Sequence, residues 1–280
     1  MQTFDQLVIY GEGLEAYLFR IEKGYWQKKF VDKNSEYQGG LKHYGMTYSN
    51  SYKVYVTGGL QIANSSPLNT IYEFGASNYL LGLRRKNMNH PRYGHGSVSI
   101  KGFIFVFGGF AHKDIPGEPP RTLNTCEKFT PATNSWEITT TMNEARAFFG
   151  ACAMENQYIY CFGGFHDYEM LSNIEKYDTI TDTWITLYYK LPYPLAKHAA
   201  IACDKRNILI MGGMSSDFDP LATVLNLDIN TAKFSKKAPM RNRKLMDGGV
   251  YLARDTSVFV ISSDDAAGFK SERYVVRDLY

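Results

Sequence analysis

An all-β chain of six repeated, four-stranded antiparallel sheets is the fold class that this 280-residue sequence predicts. Three observations carry the prediction. Short apolar runs end in paired glycines at Gly58-Gly59, Gly108-Gly109, Gly163-Gly164 and Gly212-Gly213, spaced 50, 55 and 49 residues apart. Hydrophobic anchors seven positions apart flank turn-forming residues: Phe19 and Trp26, Phe74 and Leu81, Phe129 and Trp136, Tyr177 and Trp184, Leu227 and Phe234. From the second anchor to the next glycine pair the distance is steady, at 27, 27 and 28 residues in the last three clear units, whereas the stretch after each glycine pair varies in length. Self-similarity at a fixed period marks a repeat architecture, and fixed strands beside elastic loops mark a scaffold that carries adjustable contact loops.

Each element follows from these signals. Two anchors around a Thr/Asn/Asp-rich turn read as a hairpin of third and fourth strands. In the fourth unit, the predicted strands are residues 149–154, 158–162, 174–177 and the segment around Trp184. The second strand of every unit is continuously apolar, so both of its faces must be covered by neighbouring sheets. Radial stacking meets that demand for all units at once, whereas a linear stack leaves two apolar ends bare. The expected architecture is therefore a six-bladed β-propeller occupying residues 1–280 as one domain, with approximate units 1–38, 39–87, 88–142, 143–191, 192–240 and 241–280. Two degenerate units complete the count. Residues 7–10 run into Gly11-Glu12, and residues 258–261 run into Ser262-Ser263; terminal repeats are commonly atypical. By strand count the first unit lacks its innermost strand and the last its outermost. Either these blades have three strands or neighbouring sequence completes them.

Composition narrows the function classes. Hydrophobic residues make up 44% and aromatics 15%, ample for several layers of strand-rich core. A net charge of +3 from 31 basic and 28 acidic residues argues for neither nucleic acid nor a membrane surface as partner. No basic, apolar leader opens the sequence and no apolar run reaches the length of a membrane span, so a cytoplasmic location is expected. Four cysteines do not form a disulfide framework. If residues 155–158 form a hairpin turn, Cys152 and Cys161 stand directly opposite each other, as a crosslink or as two reduced core thiols. No Cys/His cluster supports a metal site, and no cofactor is expected.

Residues Tyr160-Cys161-Phe162-Gly163-Gly164, then Glu175-Lys176-Tyr177-Asp178, then Trp184, carry a family resemblance, and the stretch from Phe105 to Trp136 is nearly as good. The chain resembles the kelch-repeat β-propellers from about Leu7 to Tyr280. It departs from the pattern at Leu81 and Phe234, at Ser262-Ser263 and at Gly11-Glu12. The resemblance implies a non-catalytic interaction scaffold that holds a partner segment on the loop face, as substrate receptor of a ubiquitin ligase or as part of a cytoskeletal assembly. The alternative it leaves open is a sugar-acting catalyst, since the family includes galactose oxidase, a copper enzyme, and a sialic acid epimerase.

The candidate binding residues come from the loops. Strand alternation sends the second-to-third loops and the blade connections to one face. Lys42, Arg92, Arg146, Lys197, Arg243 and Lys244 fall at or just before innermost strands, which predicts a ring of cations around an axial mouth that attracts acidic segments. The long loops bring acidic and aromatic groups instead: Asp114 and Glu118, Asp167, Tyr168 and Glu169, then Asp217, Phe218 and Asp219, and Asp264 and Asp265. His166 is a candidate loop contact. His95 and His198 recur at matching places in first strands and are expected to be packing residues.

Overall fold

The computed structural model describes residues 6–10, 15–20, 25–30, 41–49, 53–75, 78–112, 120–167, 169–243, 250–252, 257–264 and 268–275. Every regular element in it is a strand. Four complete four-stranded antiparallel blades are present. Blade I consists of Gly45–Tyr48, Lys53–Thr57, Ile71–Gly75 and Asn78–Arg84. Blade II consists of Gly96–Ile100, Phe103–Phe107, Cys126–Thr130 and Ser135–Thr139. Blade III consists of Gly150–Met154, Tyr158–His166, Glu169–Asp178 and Thr183–Thr186. Blade IV consists of Ala199–Ala202, Asn207–Met211, Val224–Asp228 and Lys233–Lys236. A three-stranded sheet lies at either end, Gln6–Tyr10, Glu15–Arg20 and Tyr25–Phe30 before the blades, and Val250–Leu252, Ser257–Asp264 and Gly268–Val275 after them. Among the described residues four blades are complete, and the two end sheets have three strands each.

First strands of successive blades lie side by side: blade I against II, II against III, III against IV, and IV against the last sheet. The continuously apolar second strands explain why. Asn207–Met211 is buried at every position, and one apolar layer fills each gap. Phe105, Phe107 and Cys126 of blade II pack against Phe149, Ile159, Tyr177 and Trp184 of blade III. Tyr160, Phe162 and Ile174 of blade III pack against Ile208, Ile210 and Leu227 of blade IV. Each blade buries both faces because each face belongs to a different interface.

The anchor pairs fall opposite one another, Phe19 with Trp26, Phe129 with Trp136, Tyr177 with Trp184, and Leu227 with Phe234. Blade I differs: its outer pairing shifts register between Glu73 and Gly75, where Leu81 stands in place of tryptophan. The glycine pairs are in left-handed conformation, as at Gly108 (φ 64°) and Gly109 (φ 95°), and follow the second strands of blades I, II and IV, while in blade III the pair forms a bulge within the strand. A Cβ on Gly108 would come within 2.5 Å of the Arg146 carbonyl oxygen of the next blade connection. The pair is glycine because another backbone passes there.

Two expectations are corrected. Cys152 faces Tyr160 and Cys161 faces Ala151, so the thiols are not opposed. The turn is residues 155–157, one residue shorter than expected, with Glu155 and Asn156 both at positive φ. That puts Cys152 in the layer toward blade IV and Cys161 in the layer toward blade II, and both thiols are free. Burial pushes both upward in pKa, as inert core thiols require. The second correction concerns the loop after Gly163-Gly164. Its sides pair as Gly164 with Leu171, Phe165 with Met170 and His166 with Glu169 across a bulge, so most of the expected loop is strand.

Candidate functional site

Alternating strand directions bring the blade connections and the loops after the glycine pairs to one face. The residue after each glycine pair bonds across to the connection that leads into its own blade: Leu60 to Lys42, Phe110 to Tyr93, Phe165 to Ala147 and Met214 to Ala196. The next residue of each connection, His43, Gly94, Phe148 and Lys197, has φ of 56°, 60°, 53° and 50°. In the last three, the N–H then donates to the equivalent carbonyl of the preceding blade: Gly94 to His43 at 2.8 Å, Phe148 to Gly94 at 2.7 Å, and Lys197 to Phe148 at 2.7 Å. The rim is thus fixed by backbone, whatever side chains it displays.

Those side chains form an aromatic cluster. Gly94 has no Cβ, and one built there would meet the Phe148 ring at 3.0 Å; the ring lies over it for that reason. Phe148 meets His43 edge-on at a centroid distance of 4.9 Å and Phe110 at 5.8 Å, and Tyr93 lies 5.6 Å from Phe110. The Lys197 Nζ sits 5.1 Å from the Phe148 centroid, a cation–π geometry. His43, Tyr93, Phe148 and Lys197 are each half-buried, and burial raises the Tyr93 hydroxyl pKa.

The expected cation ring is not what the structure builds. Arg92 and Arg146 are 0% exposed, each folded back into its own blade. Arg92 donates to the Gly108 carbonyl (2.8 Å), to the Thr125 carbonyl (2.9 Å) and to Glu127 Oε1 (2.9 Å). Arg146 repeats this with Gly163 (2.7 Å) and Glu175 Oε1 (2.7 Å). The carboxylates also accept backbone N–H groups of the connections, from Asn89 and His90 at Glu127 and from Asn143 and Glu144 at Glu175. Burial alone would raise the Glu127 pKa, but Arg92 and the Asn89 bonds outweigh it and hold it below the usual carboxylate range. These arginines clamp connections to sheets and present nothing to a ligand.

The other predicted residues divide. Lys42 is half-buried beside Leu60 on the rim, and Lys197 lies on Phe148. Arg243 is exposed in the connection after blade IV. His166 contacts Glu144 of the preceding connection and lies 3.8 Å from Asp167; Asp167 in turn accepts from Thr122 of blade II. Phe218 is 63% exposed at a φ of 61°, between exposed Asp217 and Asp219 at the tip of the blade IV loop. Tyr168 and Lys244, with Asp114, Glu118, Asp265 and the Gly11-Glu12 pair, lie outside the described residues. His95 and His198 are core groups: His95 Nε2 lies 2.9 Å from Thr57 Oγ1 and His198 Nε2 accepts from the Gly150 N–H at 3.1 Å.

Tyr93, Phe110 and Phe148 were not among the residues expected from the sequence to bind. Their signal was positional: each stands at a fixed offset from a glycine pair or a first strand, where the rim is. Among the described residues no group of three or more His, Cys, Asp or Glu is placed to hold a metal ion, and no helix is long and apolar enough to cross a membrane.

Comparison with known proteins agrees with the repeat geometry. Residues 46–249 match the family model described as the KLHDC2/KLHL20/DRC7 Kelch-repeats domain. Spermatocyte protein spe-26 of Caenorhabditis elegans is 35% identical over 132 residues, covering 46% of this chain and 22% of that protein. Kelch-like protein 38 of Rattus norvegicus is 25% identical over 248 residues, 85% of this chain and 38% of its own length. Kelch-like protein 13 of Homo sapiens is 36% identical over 77 residues, 28% of this chain and 11% of its own length. The chain thus spans well under half of each of these relatives. With the family model covering all four complete blades, the chain belongs to the kelch-repeat family of β-propellers.

Proposed function

We propose that this chain is a non-catalytic protein–protein interaction scaffold of the cytoplasm, and that it seats a partner segment on the loop face. The rim cluster of half-buried His43, Tyr93, Phe148 and Lys197 over buried Phe110 carries this reading. Aromatic side chains held in place by packing lose little entropy on contact, and buried aromatic anchors dominate protein interfaces. In the proposed complex the two end sheets complete a six-bladed ring. The partner's apolar side chain rests on Phe148 and Tyr93, while its carboxylates reach Lys42, Lys197 and Arg243 at the edge. Phe218, exposed on a left-handed turn, and His166 extend the contact outward. Binding partners through one face suits a receptor subunit of a ubiquitin-ligase or cytoskeletal assembly, and that is the role proposed.

Affinity capture followed by mass spectrometry tests the proposal. The double variant Phe148→Ala/Lys197→Glu should lose partners captured by the native chain by at least ~10-fold, the effect of removing one interface hot spot, with its circular dichroism spectrum unchanged. Recovery of the same partners in the same yield would overturn it.

A further inference from the structure

The outer wall changes from one gap between blades to the next. Between blades II and III it is closed by polar bonds. Glu137 pairs with Lys128 directly opposite it at 2.7 Å, and the Trp184 indole spans the gap to the Thr140 carbonyl at 3.0 Å. Between blades III and IV each of these positions changes. Ile185 stands opposite Lys176, as Glu137 stands opposite Lys128, and Phe234 and Tyr188 replace Trp184 and Thr140. The connection is also one residue longer. The N–H groups that tie it back to the start of the third strand are Leu187 and Leu191, four residues apart. After blades I and IV the same ties are only three apart, at Arg85 and Met88 and at Lys237 and Met240. The added residue leaves Tyr188 almost wholly in solvent, edge-on to Tyr189, with Ile185 48% exposed three positions earlier.

Cations flank this apolar patch. Lys190 follows the tyrosine pair and is exposed. Lys236 faces the same gap from blade IV, because it lies opposite Leu225, which belongs to the layer between the two blades. Among the described residues neither lysine has an ion pair. The loop of blade IV carries the converse pattern. A bridge between Met214 and Pro220, and a bond from the Phe218 N–H to the Ser215 carbonyl at 2.9 Å, hold it tightly. Its tip sets the exposed Phe218 ring between the exposed carboxylates of Asp217 and Asp219, and neither carboxylate has an ion pair among the described residues. A phenylalanine at positive φ is costly where glycine or asparagine is not. Strain of that kind persists where the side chain is used in a contact.

We infer that this chain associates head to tail, with the Phe218 loop of one copy seated on the blade III–IV gap of the next. The phenyl ring lies against Tyr188 and Ile185, and Asp217 and Asp219 meet Lys190 and Lys236. An apolar centre ringed by opposite charges is complementary in both shape of contact and sign. The two halves of the joint lie on different surfaces, the loop face and the outer wall. Each copy therefore gives one and receives one, and the contact continues into chains instead of stopping at pairs. The inference goes beyond the partner contact proposed above and shares only Phe218 with it.

Sedimentation equilibrium of the full chain tests it. The weight-average mass should rise with protein concentration past that of a pair, and high salt should reverse the rise. Tyr188→Ser and Phe218→Ser, both at exposed positions, should each weaken association at least ~10-fold with the melting temperature unchanged. Mixing these two variants should restore association, but only to a one-to-one pair. Phe218→Ser keeps the gap and Tyr188→Ser keeps the loop, so one joint forms and nothing can be added to it. Phe148→Ala/Lys197→Glu, which removes the proposed partner contact, should associate as the native chain does, so the two readings fail separately. Loss of association in that variant would put the joint on the rim and overturn this one. A native chain that stays monomeric at every concentration also overturns it, since whatever covers the gap is then not a second copy. So does a mixture that stays monomeric or grows past a pair, or a single variant that associates like the native chain.

Discussion

Blades II and III are held by charge and polar bonds where blade IV is held by hydrocarbon. In II and III an arginine of the connection reaches a glutamate two residues before the anchor, Arg92 with Glu127 and Arg146 with Glu175. In blade IV the same two positions are Leu195 and Leu225, packed in one apolar layer, and in blade I they are Leu41 and Tyr72. Both members change together, which is what a buried pair requires: removing one partner leaves an uncompensated charge, whereas replacing both with apolar groups of similar size is often neutral. A second device changes in parallel. Trp136 and Trp184 donate their indole N–H to the carbonyls of Lys86 and Thr140 in the preceding blade, at 2.6 and 3.0 Å. The turn residues Asn134 and Asp182 accept the N–H of those same residues. Blade IV has Phe234 and Ala232 instead, with no indole N–H and no side-chain oxygen, and Tyr188, the counterpart of Lys86 and Thr140, is 87% exposed. One backbone geometry thus tolerates two interior chemistries.

The largest way to break this comparison is to remove half of a clamp. Glu175→Leu leaves Arg146 buried and unpaired and should cost ~3–5 kcal/mol, whereas Arg146→Leu/Glu175→Leu, which rebuilds blade III in the image of blade IV, should recover most of the loss. Urea denaturation of the four-member cycle measures both. If the double variant is as unstable as the single one, the two chemistries are not interchangeable. The clamp also sets an acid limit. The Glu127 pKa is held below its unfolded value, so its contribution is full above about pH 4.3 and is lost as pH falls through the folded value. Arg92→Leu/Glu127→Leu should flatten that part of the stability curve.

Next in size is the buried histidine that blades II and IV share and that blade III replaces with Phe149. Burial drives both His95 and His198 down to a pKa of about 3. The unfolded chain, titrating near 6.5, binds their protons first. Stability is therefore full above about pH 6.5 and falls as pH drops toward the folded values, by about 1.5 kcal/mol per histidine between pH 6.5 and 5. His198→Gln keeps an acceptor for the Gly150 N–H without titrating, so it should remove one histidine's share of that slope in urea titrations at several pH values. An unchanged slope would mean His198 is protonated in the fold.

The smallest effects belong to the indole staples. Trp184→Phe, which copies blade IV into blade III, should cost ~1 kcal/mol for the lost hydrogen bond plus lost packing. Phe234→Trp with Ala232→Asp, the reverse graft, should raise the melting temperature by a few degrees. A fall in melting temperature would show that the blade III–IV gap has no room for the indole.

Repetition made the four blades legible: glycine pairs, anchors and turns sit at constant offsets, so each copy supports the others. Arg92 and Arg146 were misread because a charge in a connection resembles a surface cation until its partner is known. The partner was present in the sequence, since arginine and glutamate occur together in two repeats and are both absent from the next. The Cys152 and Cys161 register depended on one residue of turn length, which left-handed Glu155 and Asn156 decided and which composition does not encode. The rim cluster was hidden because His43, Gly94, Phe148 and Lys197 share a conformation, not a chemistry.

That shared conformation has a mechanical consequence. Because blades II, III and IV each donate an amide hydrogen bond to the carbonyl of the blade before, from Lys197 back to His43, tilting blade II or III strains links on both sides. Phe148 sits in the middle of this chain of bonds, so a guest that shifts it pulls at once on the Gly94 carbonyl and the Lys197 N–H.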